Sequence, residues 1–110
     1  MTAKPVVPRA RARRDIEDAL DHYLTVAGEP VALRFVDAVE RAFAHIGRHP
    51  QTGSDRFAHE LDLPGLRFWP VRRFPHLVFF VDRPQHVDVW RVLHGERDLP
   101  SWLRSDDRSG

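Results

Sequence analysis

Phe74-Pro75-His76-Leu77-Val78-Phe79-Phe80-Val81 decides the architecture of this chain. It is nearly continuous apolar sequence, so both of its faces need cover, as in a strand at the middle of a sheet. Working outward, Asp82-Arg83-Pro84-Gln85 is turn sequence, and His86 to His94 reads as the next strand. On the other side, Leu66-Arg67-Phe68-Trp69-Pro70-Val71 is strand-like, with Pro70 marking a bulge or an edge. These three strands are expected to pair antiparallel in one sheet.

Upstream, the period changes. Residues 51–65 hold Gly53, Ser54, Asp55 and Pro64-Gly65 and read as a connecting loop. From Ala10 to Ala27, the residues Ala12, Ile16, Ala19, Leu20, Tyr23, Leu24 and Ala27 recur at helical steps, and Gly28 suits the cap that follows. Pro30 fits a first helical turn, and Ala32, Phe35, Val36, Val39, Ala42, Phe43 and Ile46 make a second stripe that Gly47 and Pro50 end. Two such helices with a short link pack as an antiparallel hairpin. Val6-Val7 between prolines suits a short N-terminal edge strand, and Leu99-Pro100-Ser101-Trp102-Leu103 a short final helix. The reading is thus α+β: one domain over residues 1–103 and a polar tail over residues 104–110.

A two-helix hairpin covers one face of such a sheet. The other is expected to be bare, with Trp69, Phe79 or Phe80, and Trp90 as its candidates, and an uncovered apolar face marks an interface.

Composition narrows the function. The chain has 110 residues and no cysteine, which excludes disulfides, thiol catalysis and thiolate metal sites. No apolar run reaches the ~18 residues of a membrane span, and the N-terminus lacks the apolar core of a secretory signal, so the expected compartment is the cytoplasm. Net charge is +1 and the pI about 8.4, against a dedicated nucleic-acid binder. Lysine occurs once, at Lys4, so the other bases are all arginine, the residue suited to gripping carboxylates and phosphates. Arg67, Arg73, Arg91 and Arg97 lie in the sheet half and are candidates for contact with phosphate or an acidic partner; the plainer reading is solvated strand edges. Arg91-Val92-Leu93-His94-Gly95-Glu96-Arg97-Asp98 places a histidine and two arginines at a strand end, which suits acid–base chemistry on a phosphodiester but equally suits a structural turn. His45 and His49 stand one helical turn apart where the helix is ending, with no third ligand near, and no metal or cofactor is expected. Tyr23 lies on the core stripe and reads as packing.

The order of elements resembles the RelE/ParE superfamily of type II toxin–antitoxin toxins, the ParE branch most closely. The phrases that carry it are Ala12 with Asp15-Ile16 and Tyr23, Gly28 with Ala32 and Phe35-Val36, Pro50 and Gly53, and Leu63-Pro64-Gly65-Leu66-Arg67. The strongest are Phe74 to Phe80 and Arg91 to Asp98. The resemblance implies a cytoplasmic toxin, not an enzyme, that inhibits DNA gyrase, binds no DNA by itself and is held in a hetero-oligomer by a ParD-like antitoxin. RelE-like relatives instead cut mRNA on the ribosome; in that alternative His94, Arg91 and Arg97 would be catalytic. RelE-type cleavage relies on sheet-borne lysines and arginines and commonly a C-terminal tyrosine, yet here no lysine follows Lys4 and no tyrosine follows Tyr23, and His76 stands where the family often has tyrosine. The antitoxin is expected to lay a helix beside the hairpin and an extended stretch across or along the sheet, with Trp69, Phe80, Trp90 and Trp102 as its contacts.

Overall fold

Gly28 sets where the first helix stops. Its φ is 88°, a conformation that costs glycine little, and its N–H turns back to the Tyr23 carbonyl at 3.0 Å. In this computed structural model, which describes residues 3–96 and 99–103, α1 (Ala10–Val26) ends just before it. α2 (Glu29–Arg48) then starts with Pro30 in its first turn. The hairpin is preceded by β1 (Val6–Pro8) and followed by α3 (Arg56–Leu61), β2 (Leu66–Pro70), β3 (His76–Asp82) and β4 (Val87–His94). Residues 99–103 form a short helical segment. The tail at residues 104–110 lies outside the described residues.

The four strands form one sheet in the order β1-β4-β3-β2. β1 runs parallel to β4, and the other pairs are antiparallel. Phe79 pairs with Arg91 and Phe80 with Val89, so Trp90 is an extra residue on β4, a bulge. The bulge resets the alternation: Val87, Val89 and Val92 join the cluster under the hairpin, whereas Trp90 and Leu93 join the cluster on the opposite face.

Each face has its own core. Phe35, Val39, Ala42 and Ile46 of α2 and Ala12 of α1 pack on Val78 and Phe80 of β3 and Val87, Val89 and Val92 of β4. On the other side Phe57 of α3, Leu63, Leu99 and Leu103 cover Leu66, Phe79, Val81, Trp90 and Leu93. This corrects the expectation of a bare sheet face. Phe80 is fully buried beneath the hairpin and Trp90 is 6% exposed on the opposite side, so they neither share a face nor face solvent. The cover was hidden because α3 has six residues, too few to display a period, and because the rest of it comes from single leucines in loop and C-terminal sequence.

The outer edge of β2 is closed by local structure. Ser54 N–H donates to Phe68 O at 3.1 Å and Phe68 N–H to Ser54 O at 2.9 Å. Gly53 makes that approach, since a Cβ there would collide with the Phe68 carbonyl. Leu66 N–H donates to Leu63 O, and Pro70 has no N–H to offer.

Candidate functional site

β1 pairs with Val87–Val89, so among the described residues the second half of β4 has no strand on that side. A groove of about 770 Å³ opens there between β4 and α1. β4 supplies Arg91 to His94, α1 supplies Arg11, Arg14, Asp15, Asp18, His22 and Tyr23 among others, and His76 and Trp102 also line it.

Asp15 lies three residues after Ala12 and four before Ala19, on the same helix face as the apolar stripe, and a carboxylate turned inward needs a partner. It has two. Arg91 Nε and Nη2 each donate to one carboxylate oxygen at 2.7 Å, and Val92 N–H donates at 3.0 Å. The Arg91 and Asp15 side chains are 5% and 12% exposed. The Arg91 guanidinium also lies 4.7 Å from the centre of the Trp102 ring, a cation–π distance. An anion reaching for Arg91 would have to displace a bidentate carboxylate in a nearly dry setting, which opposes the use of Arg91 as a phosphate ligand.

A second arginine–aspartate–tryptophan group fastens the N-terminus. Asp88 accepts from Arg9 at 3.0 and 3.1 Å, from Arg83 at 3.2 and 3.3 Å and from Trp90 Nε1 at 3.2 Å. Burial by itself would raise its pKa, but the hydrogen bonds and charge of Arg9, with the bonds from Arg83 and Trp90, outweigh it and hold the carboxyl below its usual range. Arg9 lies over Trp90 at 4.6 Å, so this indole anchors the chain between β1 and α1.

The histidines of the groove are close together. The His76 and His94 rings are 5.5 Å apart, and Tyr23 meets His76 at 6.1 Å and Phe35 at 5.3 Å. Glu96 N–H donates to His94 Nδ1 at 3.1 Å, so in the neutral ring the proton sits on Nε2. Burial raises the Tyr23 pKa and keeps its phenol protonated. Farther off, His45 stacks on Trp69 at 4.1 Å; burial, then the charges of His49 and Arg48, lowers its pKa. Among the described residues no group of three metal-ligating side chains occurs, and no helix is long and apolar enough to cross a membrane.

Residues 6–99 match the family model of the ParE toxin of the type II toxin-antitoxin system, parDE. The chain belongs to this toxin family. No curated protein matches it. A solved structure described as the chromosomal ParDE TA system from P. aeruginosa is similar at a TM-score of 0.70 and 19% identity, over 84% of this chain and 96% of that one. At that identity the likeness speaks for the fold, and it is the expected RelE/ParE-like α+β fold.

Within this ParE-family chain the structure brings His94, Arg91 and Trp102 into one groove. Trp102 is 36% exposed there. It does not bring the other candidates to them. Arg67 lies on β2, with β3 between it and β4, and donates to Gly53 O at 3.4 Å. Arg73 is exposed in the turn after β2, at a φ of 71°. Trp69 is half-buried against His45, and Phe80 and Trp90 are core. Arg97 lies outside the described residues. Sequence reasoning quoted Asp15 only within the family resemblance and passed over Arg11, Arg14 and His22; the carboxylate on the apolar stripe was the one available signal for the pair with Arg91.

Proposed function

We propose that this chain is a cytoplasmic protein inhibitor of DNA gyrase, rather than an enzyme, and that a ParD-like antitoxin neutralises it by tight binding in a hetero-oligomer. Membership of the toxin family supports the toxin role. The observation that carries the non-enzymatic reading is the Asp15–Arg91 pair: the buried arginine of the groove is consumed in holding α1 to β4. The chain needs no cofactor for such a role and contacts DNA only through its target. Purified gyrase assayed for supercoiling of relaxed plasmid tests this; the expected result is inhibition that an equimolar antitoxin relieves. Normal supercoiling at saturating toxin, with growth still arrested on induction, sinks the gyrase assignment.

One observation favours a second reading, RelE-like mRNA cleavage. His76 and His94 face one another in a groove that Arg14 also lines, a pairing suited to proton transfer. Primer extension on mRNA from induced cells separates the two readings, since intact message rules out the nuclease.

A further inference from the structure

The turn between β2 and β3 goes against local preference twice. Val71 N–H donates to His76 O at 2.9 Å and Phe74 N–H to Val71 O at 3.0 Å, so Arg72 and Arg73 are the central pair of a closed four-residue turn. Arg73 stands third in it at a φ of 71°, a place that suits glycine or asparagine. Asp62 is the other non-glycine residue at positive φ among the described residues, but it caps α3, and a short polar side chain tolerates that conformation. An arginine gains nothing locally from it. The second conflict is electrostatic, since two adjacent cations repel one another.

The fold relieves neither. Both side chains are exposed, and among the described residues neither makes a hydrogen bond or an ion pair. The other described arginines of the sheet half are engaged: Arg67 on Gly53 O, Arg83 on Asp88 and Arg91 on Asp15. The turn is nonetheless held firmly, because Val71 is buried and the Phe74 ring meets those of Tyr23 and Phe35 at 5.2 Å each. Backbone strain and unbalanced charge on a rigid support are retained where a recognition site needs them.

The same rings fix where the turn lies. Tyr23 is near the end of α1 and Phe35 in the second turn of α2, so the two arginines sit at the tip end of the hairpin. That end exposes Leu24, Val26 and Leu33, three of the five large apolar side chains that the described residues leave open to water. Cations and exposed aliphatic side chains at one end suit a protein surface that is acidic and partly apolar, whereas a phosphate backbone would use the cations alone. Neither arginine lines the groove between α1 and β4.

We propose that Arg72 and Arg73 are the contact through which this chain grips its target, at an acidic patch on a protein surface. The proposal rests on the reading of this chain as a protein inhibitor, and names the surface that reading needs. The planar fork of each guanidinium matches a carboxylate, which supplies register as well as attraction.

The test uses the full chain, purified gyrase and induction in growing cells. Arg73→Gly removes the cation and relieves the backbone, so it should weaken inhibition of supercoiling about tenfold and leave the urea unfolding midpoint unchanged or higher. Arg73→Lys keeps the charge and should lose less. The double variant Arg72→Glu with Arg73→Glu should lose growth arrest as well as inhibition, and added salt should weaken the wild type more than this variant. A folded double variant that still inhibits and still arrests growth overturns the proposal. So does an Arg73→Gly chain that loses inhibition only together with its unfolding midpoint, because the residue is then structural. A wild type that leaves gyrase active yet arrests growth, with the arrest lost in the double variant, overturns the gyrase reading and leaves this surface standing. Absence of arrest by the wild type overturns both. Binding that depends on the two arginines only when gyrase carries duplex DNA overturns the proposal in favour of a nucleic acid.

Discussion

Asp15→Asn isolates the charge that pins α1 to β4. The amide keeps an oxygen to accept from Val92 N–H and nearly the same volume, so what is lost is the carboxylate opposite Arg91. The guanidinium, 5% exposed, then remains buried with its bidentate acceptor gone. Removing one partner of a buried pair costs about 3–5 kcal/mol. The lower end applies here, because the Asp15 side chain keeps 12% of its surface in water and Trp102 still stacks on the cation. Against a total stability of about 5–15 kcal/mol, a loss of about 3 kcal/mol is large. With a urea slope near 1.5 kcal/mol/M, the unfolding midpoint should fall by about 2 M. The double variant Asp15→Leu with Arg91→Met should recover most of the loss, because an apolar pair carries no desolvation penalty. The assay is equilibrium urea unfolding of wild type, the single variants Asp15→Asn, Asp15→Leu and Arg91→Met, and the double variant. A shift below about 0.5 kcal/mol for Asp15→Asn, or a double variant as unstable as the sum of its singles, refutes the reasoning.

Phe80→Ala should cost about 3–5 kcal/mol of stability by opening a cavity beneath the hairpin, and should destabilise the free chain, as a thermal melt without partner will read. Asp88 has a lowered folded-state pKa, so its contribution is full above the unfolded value near 3.9 and is lost as pH falls through the folded value; Asp88→Asn should flatten the acid limb of the stability curve below about pH 4. His45 is also lowered, but as a base: its contribution is present above the unfolded value near 6.5 and is lost below it, so His45→Phe should reduce the pH dependence of urea stability as pH falls below about 6.5. Gly53→Ala should cost about 1–3 kcal/mol, since it combines a φ of 88° with a collision at the Phe68 carbonyl; chemical unfolding checks it, and a neutral result would show that the Ser54 bridge yields.

The helices and the three later strands were legible because their periods are long and their ends are marked by Gly28, Pro30 and Asp82-Arg83-Pro84. β1 was legible from its flanking prolines. Two features escaped. The six residues of α3 carry no readable period, and the bulge at Trp90 reverses the alternation in mid-strand, so which residues face the hairpin could not be counted off β4. In the site, His94, Arg91 and Trp102 could be named, but not that Arg91 is already engaged, because its acceptor lies 76 positions away in the chain. Periodicity reports which way a side chain points on its own element, and an ion pair between elements depends on how the elements dock.

The pairing of β1 with β4 has a consequence for the birth of the molecule. The Arg9–Asp88 bridge joins groups 79 residues apart, and β4 is the strand that contacts β1, β3 and α1. The first strand made must therefore wait for the last. Translation adds about 5–20 residues per second, so the N-terminal segment spends several seconds without its neighbour, and contacts so distant in sequence also slow closure once the chain is complete. A ribosome that stops before β4 releases a chain whose β1 has no strand to pair with, and the groove between α1 and β4 is not assembled. The chain thus acquires its working surface in one event, once β4 has been made.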